Sequence, residues 1–168
     1  EQHDDMCYAG GIREFVTWLN RAKNPIHDGV IYMAGQKGDS IAELAFQYTD
    51  SYSESILSFA NNVHTPEGGM HETGFKQALT STLNAYGRRM NLLKDGDEIK
   101  GEDYREGLTC IISVKLTDAQ FEGQTKAKLG NSEVRTLVSA IVSEKLEEFL
   151  EENPAVGRAI LDLSLIHI

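Results

Sequence analysis

The spacing of apolar positions changes along the chain, and each change marks an element. Ile12, Phe15, Val16 and Leu19 follow Gly10-Gly11 at helical spacing, which predicts a short helix over about 12–22. Asn24-Pro25 ends it, because the residue before proline avoids the helical region. Val30 to Ala34 reads as a short strand and Gln36-Lys37-Gly38-Asp39 as a turn. From Ile41 to Tyr48 the period is two. Ala42, Leu44, Phe46 and Tyr48 share one face and Glu43, Gln47 and Thr49 the other, the pattern of a half-buried strand. Asp50-Ser51-Tyr52-Ser53 leads to another strand, Ser55 to Ala60, and the two are expected to pair as an antiparallel hairpin.

The second half is more helical. Asn61 to Gly69 is a loop rich in turn formers, of the length at which functional loops concentrate. Phe75, Leu79, Leu83, Tyr86, Met90 and Leu93 trace one face of a long helix over about 71–92. Lys94 to Glu102 is charged and reads as an exposed loop. Leu108, Cys110, Ile112, Val114 and Leu116 alternate with Thr109, Ser113 and Lys115, the clearest strand in the chain. Val134, Leu137, Val138, Ile141, Leu146, Phe149 and Leu150 define a helix over about 132–152, with Asn131 or Ser132 as N-cap and Asn153-Pro154 as its end. The order βββαβα without regular βαβ alternation predicts an α+β fold, a mostly antiparallel sheet with helices packed on one face.

Composition narrows the class. Hydrophobic residues make up 40% and charged residues 25% of the 168, as in a globular domain. No stretch approaches the roughly 20 apolar residues that span a bilayer, and Glu1-Gln2-His3-Asp4-Asp5 is not a signal peptide, so no membrane role is expected. Cys7 and Cys110 are far apart and suggest neither a disulfide framework nor a zinc site, which fits a reducing cytoplasm. The net charge of −10 opposes strong nucleic-acid binding by the chain as a whole, leaving any DNA contact to a local basic patch. Glu144, Glu147, Glu148, Glu151 and Glu152 read as a solvated helix face.

Few residues suggest chemistry. Gly10-Gly11 and Gly68-Gly69 lack phosphate-cradling motifs and read as tight turns. His3, His27, His64, His71 and His167 are scattered without metal-ligand spacing, so no metal site is expected; His64 and His71 flank the long loop and read as caps or solvated groups. Arg105 and Glu106 read as a surface ion pair. Lys76, Arg88 and Arg89 lie on or near the long helix and are the candidate DNA-facing cations. The sharpest candidate is Gln124-Thr125-Lys126, in a glycine-bounded loop between a strand and a helix. A lysine there is a mobile point charge that can offset the charge of a terminal phosphoryl group, with an amide beside it as a hydrogen-bond donor.

Four strings carry a resemblance over about Gly10 to Pro154: Asp50 to Asn62, Glu67 to Phe75, Arg105-Glu106-Gly107-Leu108 and Phe121 to Lys126. Together they resemble the transducer domain of the bacterial DNA gyrase B family, whose close relative is the corresponding part of topoisomerase IV. The resemblance implies a fold like ribosomal protein S5 domain 2 and a part of an ATP-dependent type II topoisomerase that couples ATP binding and hydrolysis to DNA strand passage and negative supercoiling. It implies that Lys126 contacts the terminal phosphate of ATP in the neighbouring ATPase domain, that Gln124 supports it, and that Gln124, Thr125 and Lys126 form the nucleotide-contacting loop. ATP and Mg2+ would be bound mainly by domains outside this chain, and the isolated chain would be inactive. Implied partners are the transported DNA segment, gyrase A in a heterotetramer, and a second copy of gyrase B when ATP closes the clamp. Ser81 stands where many relatives carry a basic residue, which bears on the DNA-facing helix. The implied layout has four parts. Residues 1–9 end an ATP-binding domain, 10–153 form the transducer, and 154–162 begin a helix leading to a metal-binding cleavage module. Residues 163–168, Leu163-Ser164-Leu165-Ile166-His167-Ile168, resemble a translated sequencing adaptor. The alternatives are the equivalent chain of topoisomerase IV (decatenation) and, in a different class, a non-catalytic S5-like module binding RNA or protein.

Overall fold

A computed structural model describes residues 9–94, 98–122 and 126–166. Helix α1 (Ala9–Leu19) leads into strands β1 (Ile31–Lys37), β2 (Ser40–Tyr48), β3 (Ser55–Ala60) and β4 (Val63–His64). Helix α2 (Met70–Arg89), the short α3 (Gly101–Arg105) and strand β5 (Leu108–Lys115) follow, and α4 (Ser132–Glu152) and α5 (Pro154–Ile166) complete the fold. The α+β class and the long periodic helices agree with the sequence patterns. Helix α2 stops near Met90 and Asn91, the latter in a left-handed conformation at φ 61°.

The sheet order is β1-β2-β5-β3-β4. Three of its pairings are antiparallel, but β3 runs parallel to β5, from Ser55↔Thr109 to Ala60↔Val114. The expected β2–β3 hairpin is therefore corrected: β5 lies between the two strands, pairing with β2 from Ile41↔Lys115 to Tyr48↔Leu108. The reason is burial. Every β5 residue but the last is buried, so this strand belongs where both faces are covered. The polar connection after β2 crosses the start of β5. Thr49 N–H donates to Gly107 O (2.7 Å) and Gly107 N–H to Ser53 O (3.0 Å).

Helices also cover both faces of the sheet, not one. Phe46, Phe75, Leu79, Leu83, Ile112, Val138 and Val142 belong to the main core, under α2 and α4. On the other face α1 brings Ile12 and Val16 against Ala45 and Ile111. This second cover corrects the half-buried reading of β2, because Glu43 and Gln47 are buried too, as are Thr109 and Ser113 on the same side of β5. Most of their polar atoms are satisfied inside the protein. Asn20 Nδ2 donates to Gln47 Oε1 (3.0 Å), Thr109 Oγ1 donates to Asn20 Oδ1 (2.7 Å), and Tyr32 Oη donates to Glu43 Oε1 (2.9 Å). Burial raises the Glu43 carboxyl pKa, opposed by the Tyr32 hydrogen bond. Burial likewise raises the pKa of the free Cys110 thiol.

The segment before α3 is also less exposed than its charge suggests. Ile99 is buried, and Asn84 on α2 is bonded to it on both sides. Asn84 Oδ1 accepts from Ile99 N–H (3.0 Å) and Tyr104 Oη (2.7 Å), while Nδ2 donates to Ile99 O (3.1 Å). Helices α2 and α4 lie side by side in the same direction. Gly74 meets the Arg135 backbone at one end, and Arg89 meets Glu147 and Glu151 at the other. Helix α5 runs unbroken past Asp162 to Ile166, with Ser164 buried and its hydroxyl donating to Ile160 O (2.9 Å).

Candidate functional site

The polar loop singled out in the sequence leaves the sheet after β5 and returns at α4. Gln124 and Thr125 lie outside the described residues; Lys126 lies within them and is exposed. Lys126 makes no ion pair among the described residues, whereas Lys128 is tied to Glu122 at 3.6 Å.

The two arms of the loop are joined to each other. Glu122 N–H donates to Lys128 O (2.8 Å) and Gly130 N–H to Gln120 O (2.7 Å), which gives an antiparallel bridge between Phe121 and Leu129. Asn131 closes the base. Its Oδ1 accepts from Gln120 N–H (2.6 Å), and its Nδ2 donates to Asp118 O (2.9 Å) and Glu133 Oε2 (2.9 Å). Asn131 does occupy the N-cap position of α4, but its side chain makes no cap hydrogen bond there; it binds the loop instead.

The returning arm is also bonded to the turn that starts α2. Glu67 N–H donates to Ala127 O (2.8 Å), Leu129 N–H to Gly68 O (3.1 Å), and Met70 N–H to Leu129 O (3.0 Å). Gly68 closes a turn from Thr65, as the sequence suggested, whereas Gly69 caps α2 and forms a parallel bridge with Leu129; both seat this arm. Both have positive φ, 77° and 139°. A Cβ on Gly69 would lie 2.5 Å from Leu129 N and 2.9 Å from Leu129 Cα, so only glycine lets the two backbones approach this closely. The side chain of Leu129 is fully buried in the core.

Beneath this seat is a buried polar cluster. Thr65 Oγ1 donates to Ser58 O (2.9 Å) and lies 3.2 Å from His71 Nε2. Ser58 Oγ is 2.8 Å from Thr65 Oγ1 and 3.2 Å from Glu72 Oε2. With the Thr65 proton directed to Ser58 O, His71 carries its proton on Nε2 and donates to Thr65. His71 Nδ1 is then a buried lone pair without a partner among the described residues. Burial pulls the His71 pKa down to about 4. His71 therefore neither caps nor solvates the loop; it is packed under it.

The basic residues of α2 are all paired. Lys76 meets Glu72 (3.1 Å) and, more loosely, Glu54 (4.0 Å), while Arg88 meets Glu98 (3.3 Å). Arg89 meets Glu147 (3.2 Å) and Glu151 (3.6 Å). Ser81, Thr82, Tyr86, Ser143 and Glu147 share a shallow groove with Arg89. Arg105 donates to Glu54 (3.1 Å), which ties α3 to the segment before β3. Among the described residues no helix is long and apolar enough to cross a membrane, and no group of three or more His, Cys, Asp or Glu could hold a metal ion.

The family model described as DNA gyrase B matches residues 11–167. The DNA gyrase B chain of Bacillus mycoides is 53% identical over 163 residues, covering 96% of this chain and 40% of that protein. The DNA gyrase B chain of Staphylococcus epidermidis is 51% identical over 166 residues, covering 98% of this chain and 26% of that protein. The chain thus spans a quarter to two fifths of the length of these relatives. Among solved structures, the 43K ATPase domain of Thermus thermophilus gyrase B, in complex with an aminocoumarin, superposes with a TM-score of 0.87 at 36% identity. That match covers 94% of this chain and 43% of that one. The topoisomerase IV ATP-binding domain of Francisella tularensis, in complex with a small-molecule inhibitor, gives 0.80 at 28% identity, covering 94% and 42%.

Proposed function

The chain belongs to the DNA gyrase B family, and on that premise we propose that residues 10–153 are the S5 domain 2-like transducer of an ATP-dependent type II topoisomerase. In this reading the segment couples ATP binding and hydrolysis in a preceding domain to DNA strand passage and negative supercoiling. Lys126 contacts the terminal phosphate of the bound nucleotide, and Gln124 supports it. A lysine ammonium beside the transferred γ-phosphoryl group offsets charge in the ground state and as charge redistributes while ADP leaves. Magnesium, held with ATP by the ATPase domain, would supply charge neutralisation on the β- and γ-phosphates. The observation that carries the reading is the placement of Lys126. It is an exposed cation with no ion pair among the described residues, on a loop whose returning arm is bonded to the segment leading into a long helix and to that helix's first residue, Met70.

Lys76, Arg88 and Arg89 are proposed to face the transported DNA after exchanging partners. Exposed ion pairs contribute about 0–1 kcal/mol each, so DNA phosphates can displace the carboxylates at small cost. The proposed setting is the cytoplasm, in a heterotetramer with gyrase A, with a second copy of gyrase B joining the ATP-closed clamp. Residues 154–162 are proposed to begin the helix that leads to the metal-binding cleavage module.

The test is Lys126→Ala in the complete gyrase B protein reconstituted with gyrase A. ATP turnover is expected to fall about 100-fold or more, in the range lost when one preorganised charge-stabilising donor is removed. Supercoiling should fall with it, while the melting temperature stays unchanged. Turnover near that of the unaltered enzyme would overturn the assignment.

A further inference from the structure

Among its described residues the Lys126 loop has little bulk to hold it. Phe121 is only partly buried, Leu129 is the one fully buried apolar side chain between 117 and 130 among the described residues, and Lys126 is three residues from it. Its position is therefore set at Leu129, and Leu129 is gripped from two sides. Its side chain is in the core, and its backbone is bonded through both N–H and C=O to Gly68 and Met70. A loop held only at its ends would let a lysine tip wander, and reacting groups misplaced by about 1 Å lose about 100-fold in rate.

We propose that the Glu67–Met70 turn is a positioning element for Lys126, with Gly69 and Asn131 as the residues that make it work. The proposal rests on the nucleotide-contacting role given to Lys126 above. Gly69 allows the contact between backbones: its φ of 139° and the 2.5 Å between a would-be Cβ and Leu129 N leave no room for a side chain. Asn131 holds the outgoing arm against the returning one through Gln120 and Asp118. The Met70 bond makes the first residue of α2 the other end of the linkage. A displacement of Lys126 toward a phosphate is thus transmitted to the helix that carries Lys76, Arg88 and Arg89.

The test compares Gly69→Ala, Asn131→Ala, Lys126→Ala and the two double variants with Lys126→Ala, all in the complete gyrase B protein reconstituted with gyrase A. Two quantities are measured: ATP turnover, and amide hydrogen exchange at Glu67, Met70 and Leu129 without nucleotide. Each anchor variant is expected to lower turnover about 10–100-fold and to speed exchange at the three amides. In the Lys126→Ala background each should have no further effect on turnover, within about 2-fold, because residues that act through one group are not additive. A merely structural role predicts losses that multiply in the double variants, and that result would overturn the proposal. So would faster exchange with unchanged turnover. Should Gly69→Ala fail to fold, Asn131→Ala carries the same cycle without a backbone clash. Unchanged turnover in Lys126→Ala alone is a different outcome: it refutes the nucleotide contact itself.

Discussion

Replacing His71 with glutamine should remove a measurable part of the acid sensitivity of the fold. His71 is the second residue of α2 and has no exposed surface. Its pKa is about 4 in the folded protein, against 6.5 for an unperturbed histidine, because burial disfavours the charged ring. Protonating Nδ1 would bury a charge with no acceptor among the described residues. The sign follows from linkage: between pH 6.5 and 4 the unfolded chain binds the proton and the folded chain does not, so His71 lowers stability as pH falls through that window. At about 1.4 kcal/mol per pKa unit, the loss reaches about 2 kcal/mol at pH 5 and about 3 kcal/mol at pH 4, relative to pH 7.5. Glutamine can still donate to Thr65 but does not titrate. His27, which accepts from Tyr48 N–H at 3.0 Å, also has its pKa lowered by burial, so the variant keeps that share of the slope. The assay is urea unfolding of both proteins at pH 7.5, 6 and 5. The stability difference between them should shift by about 2 kcal/mol in favour of glutamine between pH 7.5 and 5. Parallel curves would refute the assignment of His71 as a buried neutral ring.

Two other substitutions test the packing that supports the site. Asn84→Ala strips partners from Ile99 N–H, Ile99 C=O and Tyr104 Oη together, and should cost about 3–5 kcal/mol by denaturant titration; a cost under about 1 kcal/mol would mean the segment before α3 is held by something else. Gly74→Ala places a Cβ 2.5 Å from Arg135 O, forcing α2 and α4 apart, and should cost about 1–3 kcal/mol in the same titration; a stability gain would contradict the close approach.

The parts of the fold that follow from short-range pattern were legible in the sequence. Helices α2 and α4 and strand β5 each repeat one apolar period over enough residues to fix type and core face, and Phe75, Leu79, Leu83, Val138 and Ile112 are where that period places them. Partner choice was not legible. Strand β3 joins β5 rather than β2 because β5, some 50 residues later, needs cover on both sides, and no local pattern near Ser55 encodes that. The polar face of β2 misled for a related reason. Glu43 and Gln47 look solvated in the sequence, yet Tyr32 and Asn20 supply their hydrogen bonds under α1. At the site, Lys126 could be singled out because its chemistry lies in its own side chain. The seating of Gly69 and the bonds of Asn131 could not, since one depends on a missing Cβ beside a distant backbone and the other on backbone atoms across a loop.

Lys126 is proposed to reach a nucleotide held by another domain. The most direct measurement is a structure of the complete gyrase B protein with a non-hydrolysable ATP analogue and magnesium. Lys126 Nζ is expected at about 2.7–2.9 Å from a terminal-phosphate oxygen, the span of a charge-assisted hydrogen bond, with the Glu67–Ala127, Leu129–Gly68 and Met70–Leu129 backbone bonds intact. A closed, nucleotide-filled site with the Lys126 ammonium still in solvent would contradict it.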